Sequence, residues 1–297
     1  MATRPSIARR ATRPVTASRA FSAPRFLRAL ALYVPLTLLA LLFLFPFYLI
    51  IRNALLTNRQ ITAFSWTWLP TPPQWGNLGI LFNDLAAPMA TGLQNSALIA
   101  IITLVFSMFF SSMAGYALAR IPARGSRIVF ALILSTLMIP AAVTFVPTFV
   151  VVAALGGVNT LWGLIVPGLF NAFATFLFRQ FYLGFPREIE EAGQLDGLSH
   201  WGIYRHLLLP NSRSIMTALG VLSFIGSWNS FLWPLVIGQS PSSWTVQIVL
   251  STFLTAQTVN LSELFMGAAV AIAPLVVVFL IMQRYIVEGV ALSGVKG

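Results

Sequence analysis

Six uncharged apolar runs constrain this chain more than any other feature. They cover residues 29–51, 93–119, 128–152, 161–178, 215–237 and 264–283. A helix of about 20 apolar residues crosses the hydrocarbon core of a bilayer, and lipid satisfies no exposed backbone polar group. The composition agrees, since 58% of the residues are hydrophobic and only 8% are charged. We therefore predict an all-α polytopic membrane protein with six transmembrane helices.

The segment before the first run has a different composition. Residues 1–28 hold seven arginines and no acidic residue, together with Ser, Thr and Pro. Such a segment forms no packed core, so we predict a disordered cytoplasmic tail at 1–28 and a transmembrane domain at 29–297. A mitochondrial transit peptide has a similar composition and stays open as an alternative. A cleaved signal fits less well, because 29–51 is longer than a signal h-region of about 7 to 15 residues.

The basic residues between the runs predict the orientation. With the amino terminus inside, the cytoplasmic segments contain Arg120, Arg124, Arg127, Arg179, Arg187, Arg205, Arg213, Arg284 and Lys296. Arg52 and Arg59 are the basic residues that fall on the outer side. Lysine and arginine accumulate on the cytoplasmic side of membrane proteins. We therefore predict that both termini are cytoplasmic and that the net charge of +11 reflects topology rather than nucleic-acid binding.

Several kinds of chemistry lack the residues they need. The chain has no cysteine, and its two histidines, His200 and His206, lie on different faces of one predicted helix, so we expect no metal site. No acidic residue lies in the middle of a run, which argues against an ion-coupled secondary transporter, although backbone carbonyls also bind sodium. The one lysine, Lys296, follows no P-loop pattern. We expect neither a membrane-embedded enzyme nor ATP hydrolysis by this chain.

Small residues recur every four positions in the second run, at Ser107, Ser111, Gly115 and Ala119. A stripe of this kind lets another helix approach closely. We interpret it as a site of packing within the chain.

The segment 184–212 concentrates the charge of the chain. Four of the seven acidic residues of the whole chain lie between positions 188 and 196. Pro186 is typical of a helix start, Gly197 of a helix end, and Ser199 of the cap of a second helix that runs towards Pro210. The sequence thus predicts a helix-turn-helix on the cytoplasmic side. Its apolar residues Ile189, Ala192 and Leu195 suit a groove on a partner, and packing on the rest of the chain is the alternative.

This segment resembles a known motif. Glu191-Ala192-Gly193, then three residues to Gly197, then nine residues to Leu207-Leu208-Leu209-Pro210, is similar to the EAA motif in permease subunits of binding-protein-dependent ABC importers. Gly193 stands where that motif usually has alanine, and Leu207 where it often has isoleucine. Asn95-Ser96, the segment 227–235 (SWNSFLWPL) and the ending 283–297 resemble the carbohydrate branch, specifically the second permease of the maltose-transporter type.

The resemblance implies a type I permease fold that forms half of a translocation pore in a bacterial inner membrane. It implies a coupling loop at 184–212 that docks on an ATP-hydrolysing subunit. The residues expected to couple are Glu190, Glu191, Ala192, Gly193, Asp196, Gly197, Leu207 and Pro210. The implied partners are a second permease, two ATP-binding subunits that carry ATP and Mg²⁺, an extracytoplasmic substrate-binding protein and membrane lipid.

The substrate is less constrained by the sequence. Sugars stack on aromatic rings and form hydrogen bonds with amides and hydroxyls, so Asn171, Thr175, Trp228 and Asn229 are candidates for the translocation path. Polar residues in a membrane bundle also serve as links between helices, which is the alternative for each of them. Within the importer class, glycerol phosphate or a glycerophosphodiester is the alternative substrate.

Overall fold

The fold is taken from a computed structural model that describes residues 23–254 and 259–294. The predicted disordered tail therefore lies outside the described residues up to position 22, as do Lys296 and the end of the chain. The helices are α1 (Ala23–Ala54), α2 (Asn58–Ile61), α3 (Gly76–Asn83), α4 (Met89–Arg120), α5 (Ser126–Leu137), α6 (Ala141–Ala154), α7 (Leu161–Ile165), α8 (Ala172–Leu183), α9 (Arg187–Leu195), α10 (His200–Ile203), α11 (Leu209–Asn211), α12 (Arg213–Trp228), α13 (Leu232–Ile237), α14 (Val246–Thr252) and α15 (Leu261–Gly294).

The described chain divides into two units, one up to Leu49 and one from Ile50 onward, and each is described by itself. The first unit is the greater part of α1, which begins at Ala23 and so includes residues that we predicted as tail. Pro24 suits this start, because a proline in the first helical turn costs no hydrogen bond. The second unit contains α2 to α15.

The lengths of the helices fit a membrane protein. Among the described residues, four spans are long and apolar enough to cross a bilayer, namely Leu30–Ala54, Met89–Arg120, Leu161–Leu183 and Leu261–Gln283. Two bent pairs of helices raise the number to six if each pair is one span. One pair is α5 with α6, and the other is residues 200–211 with α12.

Three of the predicted runs are not single helices. In place of one helix over 128–152, α5 and α6 meet at 103°. Pro140 explains the bend, because it lacks an N–H group and disfavours helical geometry in the residue before it. In place of one helix over 215–237, α12 ends at Trp228 and α13 begins at Leu232. Pro234 cannot donate to the carbonyl of Ser230 and its ring would clash there, so the two helices are separate.

The run predicted at 161–178 is also interrupted. α7 continues into a short 3₁₀ turn at Val166–Gly168, and α8 then starts after Asn171 and extends to Leu183. The Asn171 side chain caps α8 by accepting a hydrogen bond from the backbone N–H of Ala174 at 2.9 Å. The amide of Asn171 is therefore used by its own helix.

α4 is the central helix of the second unit, since it contributes to each of three apolar clusters. Its small residues meet α8. A Cβ added to Gly115 would lie 2.6 Å from the Phe178 Cβ and 2.9 Å from the Arg179 backbone nitrogen. Ser111 donates a hydrogen bond to the Asn171 carbonyl at 3.3 Å. The prediction that the small-residue stripe packs within the chain is confirmed, and α8 is the helix that it contacts.

Candidate functional site

The segment 184–212 forms a bent pair of short helices, which we call the elbow. α9 follows Pro186, and its last turn is closed by two backbone hydrogen bonds, from Gly197 to the Gln194 carbonyl at 3.0 Å and from Leu198 to the Gly193 carbonyl at 2.9 Å. Gly197 has φ +82°, a left-handed conformation that glycine adopts without a Cβ penalty. The predicted helix start and stop are both confirmed.

The second arm of the elbow begins where the sequence predicts it. The Ser199 hydroxyl accepts a hydrogen bond from the Gly202 N–H at 3.3 Å and caps α10. A π-helical turn at Tyr204–Leu208 and the short α11, which holds Pro210 in its first turn, complete the arm. The chain then bends by 76° into α12.

Three tyrosines attach the elbow to the spans. Tyr116 of α4 stacks on Tyr204 with ring centroids 5.5 Å apart, and it meets Tyr182 of α8 edge to face at 6.1 Å. The Tyr204 hydroxyl lies 2.7 Å from the Ser112 hydroxyl, and the Tyr116 hydroxyl donates to the His200 carbonyl at 3.2 Å. Aromatic packing and buried hydrogen bonds thus fix the second arm against α4 and α8.

Arg120, the last residue of α4, attaches the first arm. Its Nε donates to the Tyr182 carbonyl at 2.8 Å, and its terminal nitrogen donates to the Phe185 carbonyl. The same Nε lies 3.0 Å from Oε1 of Glu190 in α9. Since the Nε–H points at Tyr182, Glu190 Oε1 accepts no hydrogen bond from the described chain and is held by charge alone.

The Glu190 side chain is 11% exposed, in contrast to most acidic side chains. Burial raises the pKa of this carboxyl above its usual range, because the charged form loses its hydration. The positive charges of Arg120, then Arg187 and His200, lower its pKa and oppose that effect only in part.

The two departures from the motif lie against each other. A Cβ on Gly193 would stand 2.7 Å from Cδ1 of Leu207 and 3.4 Å from Cδ1 of Leu198. Leu207 thus occupies the space that an alanine side chain at position 193 would take. The close approach of the two arms depends on a glycine here.

The opposite face of α9 is open. Leu195 is 90% exposed, Ile189 is 42% exposed, and Glu191, Ala192 and Asp196 are exposed too. Within the described chain, no apolar group covers the stripe formed by Ile189, Ala192 and Leu195.

A second feature is a cavity of about 450 Å³ in the spans. It is bounded by α4, the α7–α8 segment, α12 and α13. Its polar lining consists of Ser96, Thr103, Asn171, Ser223, Ser227, Ser230, Trp233 and Thr245. Thr245 Oγ1 is buried and has no hydrogen-bond partner in the described chain. No charged side chain lines this cavity among the residues that the structure describes.

The structure shows where the four candidates for the translocation path lie, and their role in transport stays a prediction. Of the four candidates, Asn171 lines the cavity and the other three do not. Thr175 is buried and donates to the Asn171 carbonyl at 2.9 Å. Trp228 is 2% exposed and donates to the Ala271 carbonyl at 3.1 Å, while Asn229 is exposed outside the cavity. Trp228 thus links α12 to α15, the alternative left open by the sequence, whereas the hydrogen bond of Thr175 stays within the first turn of α8.

Sequence reasoning missed other residues of both features. Ser223, Ser227 and Ser230 recur at i, i+4 and i+7, a spacing that places them on one face of a helix and could have identified them. The pairing of Arg120 with Glu190 leaves no local signal, because 70 positions of sequence separate the two residues.

The chain is similar to known membrane transport proteins over most of its length. Residues 108–291 match the family model of the binding-protein-dependent transport system inner membrane component. The arabinooligosaccharides transport system permease protein AraQ of Halalkalibacterium halodurans is 39% identical over 207 residues, which are 70% of this chain and 74% of that protein. The sn-glycerol-3-phosphate transport system permease protein UgpE of Yersinia enterocolitica is 32% identical over 265 residues, 86% of this chain and 94% of that one.

A solved structure shows the same fold. The crystal structure of a bacterial ABC transporter involved in the import of the acidic polysaccharide alginate contains a chain that matches with a TM-score of 0.76 at 21% identity. The match covers 90% of this chain and 99% of the other. The predicted type I permease fold is thereby confirmed. The chain therefore belongs to the family of inner-membrane components of binding-protein-dependent transport systems, as a multi-pass transport subunit and not an enzyme.

Proposed function

We propose that this permease carries an uncharged sugar or oligosaccharide and forms half of the pore with a second permease subunit. The observation that carries the proposal is the cavity in the spans, whose mainly apolar wall carries six hydroxyl side chains that suit the hydrogen bonds of a polyhydroxylated substrate. Thr245 Oγ1, buried without a partner, offers one such bond. An ion-coupled transporter would need an ionisable or cation-binding group along its path, and the described lining has no charged group.

The names of the relatives give two substrate classes, which can be compared with the lining of the cavity. AraQ is named for arabinooligosaccharides and UgpE for sn-glycerol 3-phosphate. A phosphate group is recognised by arginine, lysine or the amino terminus of a helix. The described lining of the cavity contains neither arginine nor lysine. The amino terminus of α8 does border the cavity, but the Asn171 side-chain oxygen already caps it, so a sugar fits this chain better than glycerol phosphate or a glycerophosphodiester.

The elbow is the proposed coupling element. Its exposed apolar stripe, Ile189, Ala192 and Leu195, suits a cleft on an ATP-binding subunit, with Glu191 at the rim of that contact. Two such subunits would hold ATP and Mg²⁺, and their closure would move the elbows of both permeases. A loaded extracytoplasmic binding protein would deliver the substrate to the outward-open pore. Both termini are cytoplasmic in this arrangement, which agrees with the distribution of arginines.

Substrate class is tested with the complete complex in lipid vesicles. Binding protein is offered with arabinotriose, with the acidic oligosaccharide trigalacturonate or with glycerol 3-phosphate, and ATP hydrolysis and uptake are measured. We expect arabinotriose to stimulate both. Ser227→Ala should raise the KM for uptake about 2- to 10-fold, the value of one hydrogen bond. Ser135→Ala, which removes an exposed hydroxyl outside the cavity, is the control. Uptake of glycerol 3-phosphate alone would refute the sugar assignment.

Coupling is tested at Gly197. Gly197→Asp forces a side chain into a left-handed conformation at the turn of the elbow, although the surrounding space is open. Gly125→Asp is a matched control, because Gly125 has φ +88° and equally open space in a different cytoplasmic loop. We expect Gly197→Asp to assemble and to lose substrate-stimulated hydrolysis, while Gly125→Asp retains it. Equal behaviour of the two variants would show that the elbow has no special part in coupling.

A further inference from the structure

One guanidinium group joins three parts of the permease. Arg120 ends α4, its hydrogen bonds hold the carbonyls of Tyr182 and Phe185 where α8 ends, and its charge faces Glu190 in the first turn of α9. The Arg120 side chain is 6% exposed, so it is fixed by these contacts rather than by solvent. Among the arginines whose side chains the structure describes, no other forms an ion pair with an acidic side chain.

The two helices held by Arg120 also border the cavity. α4 contributes Ser96 and Thr103 to the lining, and Asn171 lies directly before α8. The backbones of α4 and α8 touch at Gly115, so the two helices move together. A displacement of α9 that is transmitted to Arg120 therefore reaches the cavity through packed, rigid elements.

We propose that Arg120 is a positioning residue, which through Glu190 holds the coupling helix α9 in register with α4 and α8. Movement of α9 on an ATP-binding subunit is then passed to the cavity. The inference rests on the proposed coupling function of the elbow. Arg120 touches neither substrate nor nucleotide and acts through the placement of α9.

The ion pair between Arg120 and Glu190 contributes to the placement of α9 rather than to the free energy of unfolding. Since burial raises the pKa of Glu190 despite the neighbouring positive charges, the attraction does not fully offset the loss of hydration. Buried ion pairs of this kind add little stability but can select one arrangement of the elements they join. Neutralising Glu190 should therefore loosen α9 without unfolding the protein.

Other charged groups near Glu190 cannot serve the same purpose. His200 and Arg187 both lower its pKa, but Arg187 is exposed and belongs to α9 itself. Tyr116 lies within reach of the Glu190 charge and is fixed by its hydrogen bond to the His200 carbonyl. Arg120 is thus the group that connects the charge on α9 to a membrane-spanning helix.

The test compares three neutral substitutions in the complete complex in lipid vesicles. Arg120→Gln removes both the charge and the fork of hydrogen bonds, and Glu190→Gln removes only the opposite charge. Arg124→Gln removes an exposed arginine four residues further along and is the matched control. The ratio of ATP hydrolysis with arabinotriose-loaded binding protein to hydrolysis without it is measured for each, together with thermal stability.

A spectroscopic measurement reports the position of α9 directly. The chain has no cysteine, so Glu188→Cys on an exposed side of α9, outside the proposed docking stripe, and Phe106→Cys on α4 accept one nitroxide label each. Electron-electron double resonance then gives the distribution of distances between the labels. This measurement needs no substrate, so it decides the role of Arg120 even if the proposed function fails.

We expect Arg120→Gln and Glu190→Gln to broaden the distance distribution and to lower the stimulation ratio at least about fivefold, the lower end of common coupling effects. The melting temperature of Glu190→Gln is recorded alongside, and the label distances are measured well below it, so a displaced α9 is distinguished from a loss of the fold. Arg124→Gln should match the native protein. If Arg120→Gln does not assemble, Glu190→Gln alone decides the question. An unchanged distribution in Glu190→Gln would overturn the inference, and a native complex that no probe stimulates would instead refute the proposed function.

Discussion

The contact between α4 and α8 at Gly115 allows a quantitative prediction. A Cβ at this position would lie 2.6 Å from the Phe178 Cβ, 2.9 Å from the Arg179 backbone nitrogen and 3.1 Å from the Phe178 backbone carbon. None of these atoms is the end of a flexible side chain. Gly115→Ala therefore requires the two helices to separate.

The size of the effect follows from two opposing terms. Alanine favours the helix over glycine by about 1 kcal/mol. Overpacking a close contact costs about 1–3 kcal/mol, and the upper part of that range applies where backbone atoms must move. The net change is a destabilisation of about 1–2 kcal/mol. For a domain of this size, it lowers the melting temperature by about 2–8 °C.

The assay is thermal unfolding of the purified protein in detergent, followed by tryptophan fluorescence. Gly79→Ala in α3 is the matched control, because Gly79 is also helical and a Cβ there meets nothing within 4 Å. The control should melt at the native temperature or slightly above it. If Gly115→Ala melts together with Gly79→Ala, the close approach of α4 and α8 is not what the geometry indicates.

Three further substitutions test other parts of the site. Gly193→Ala should lower the melting temperature by a smaller amount than Gly115→Ala, because the atom it meets is the flexible end of Leu207; an equal loss would contradict this reasoning. Trp228→Phe removes the hydrogen bond to the Ala271 carbonyl, which should lower the free energy of unfolding by about 1 kcal/mol and leave the KM for uptake unchanged. A raised KM would indicate that Trp228 contacts the substrate. Because the pKa of Glu190 is raised above its ordinary 4.5, the native protein should lose stability as the pH rises from 4.5 through that raised value. Glu190→Gln should remove this loss, which is checked by melting curves recorded from acid to neutral pH. If the native protein and the variant show the same pH dependence, the assigned burial of Glu190 is wrong.

Local signals in the sequence predicted much of the elbow. Pro186, Gly197 and Ser199 act on the backbone within a few residues of themselves, so their effects on helix starts and stops are readable without a fold. The apolar runs predicted the spans for a similar reason, since the bilayer requires a minimum length of uncharged chain. Their interruptions at Pro140 and Pro234 were not predicted, because membrane helices often tolerate proline.

Contacts between distant residues were beyond such reasoning. Arg120 reads from the sequence as one of several cytoplasmic arginines, and only the packing of α4 against α8 brings it to Glu190. The same holds for Trp228, whose indole suggested sugar stacking. Its N–H instead meets the Ala271 carbonyl of α15, a partner 43 positions away.

The lining of the cavity has a consequence for energetics in the living membrane. Moving one elementary charge through 100 mV involves about 2.3 kcal/mol, so a pore with charged walls or a charged cargo responds to the membrane potential. The described lining holds no charge, and an uncharged sugar adds none. If the proposed uncharged sugar is the substrate and ATP hydrolysis on the partner subunits drives its import, uptake should proceed at the same rate in polarised and depolarised vesicles.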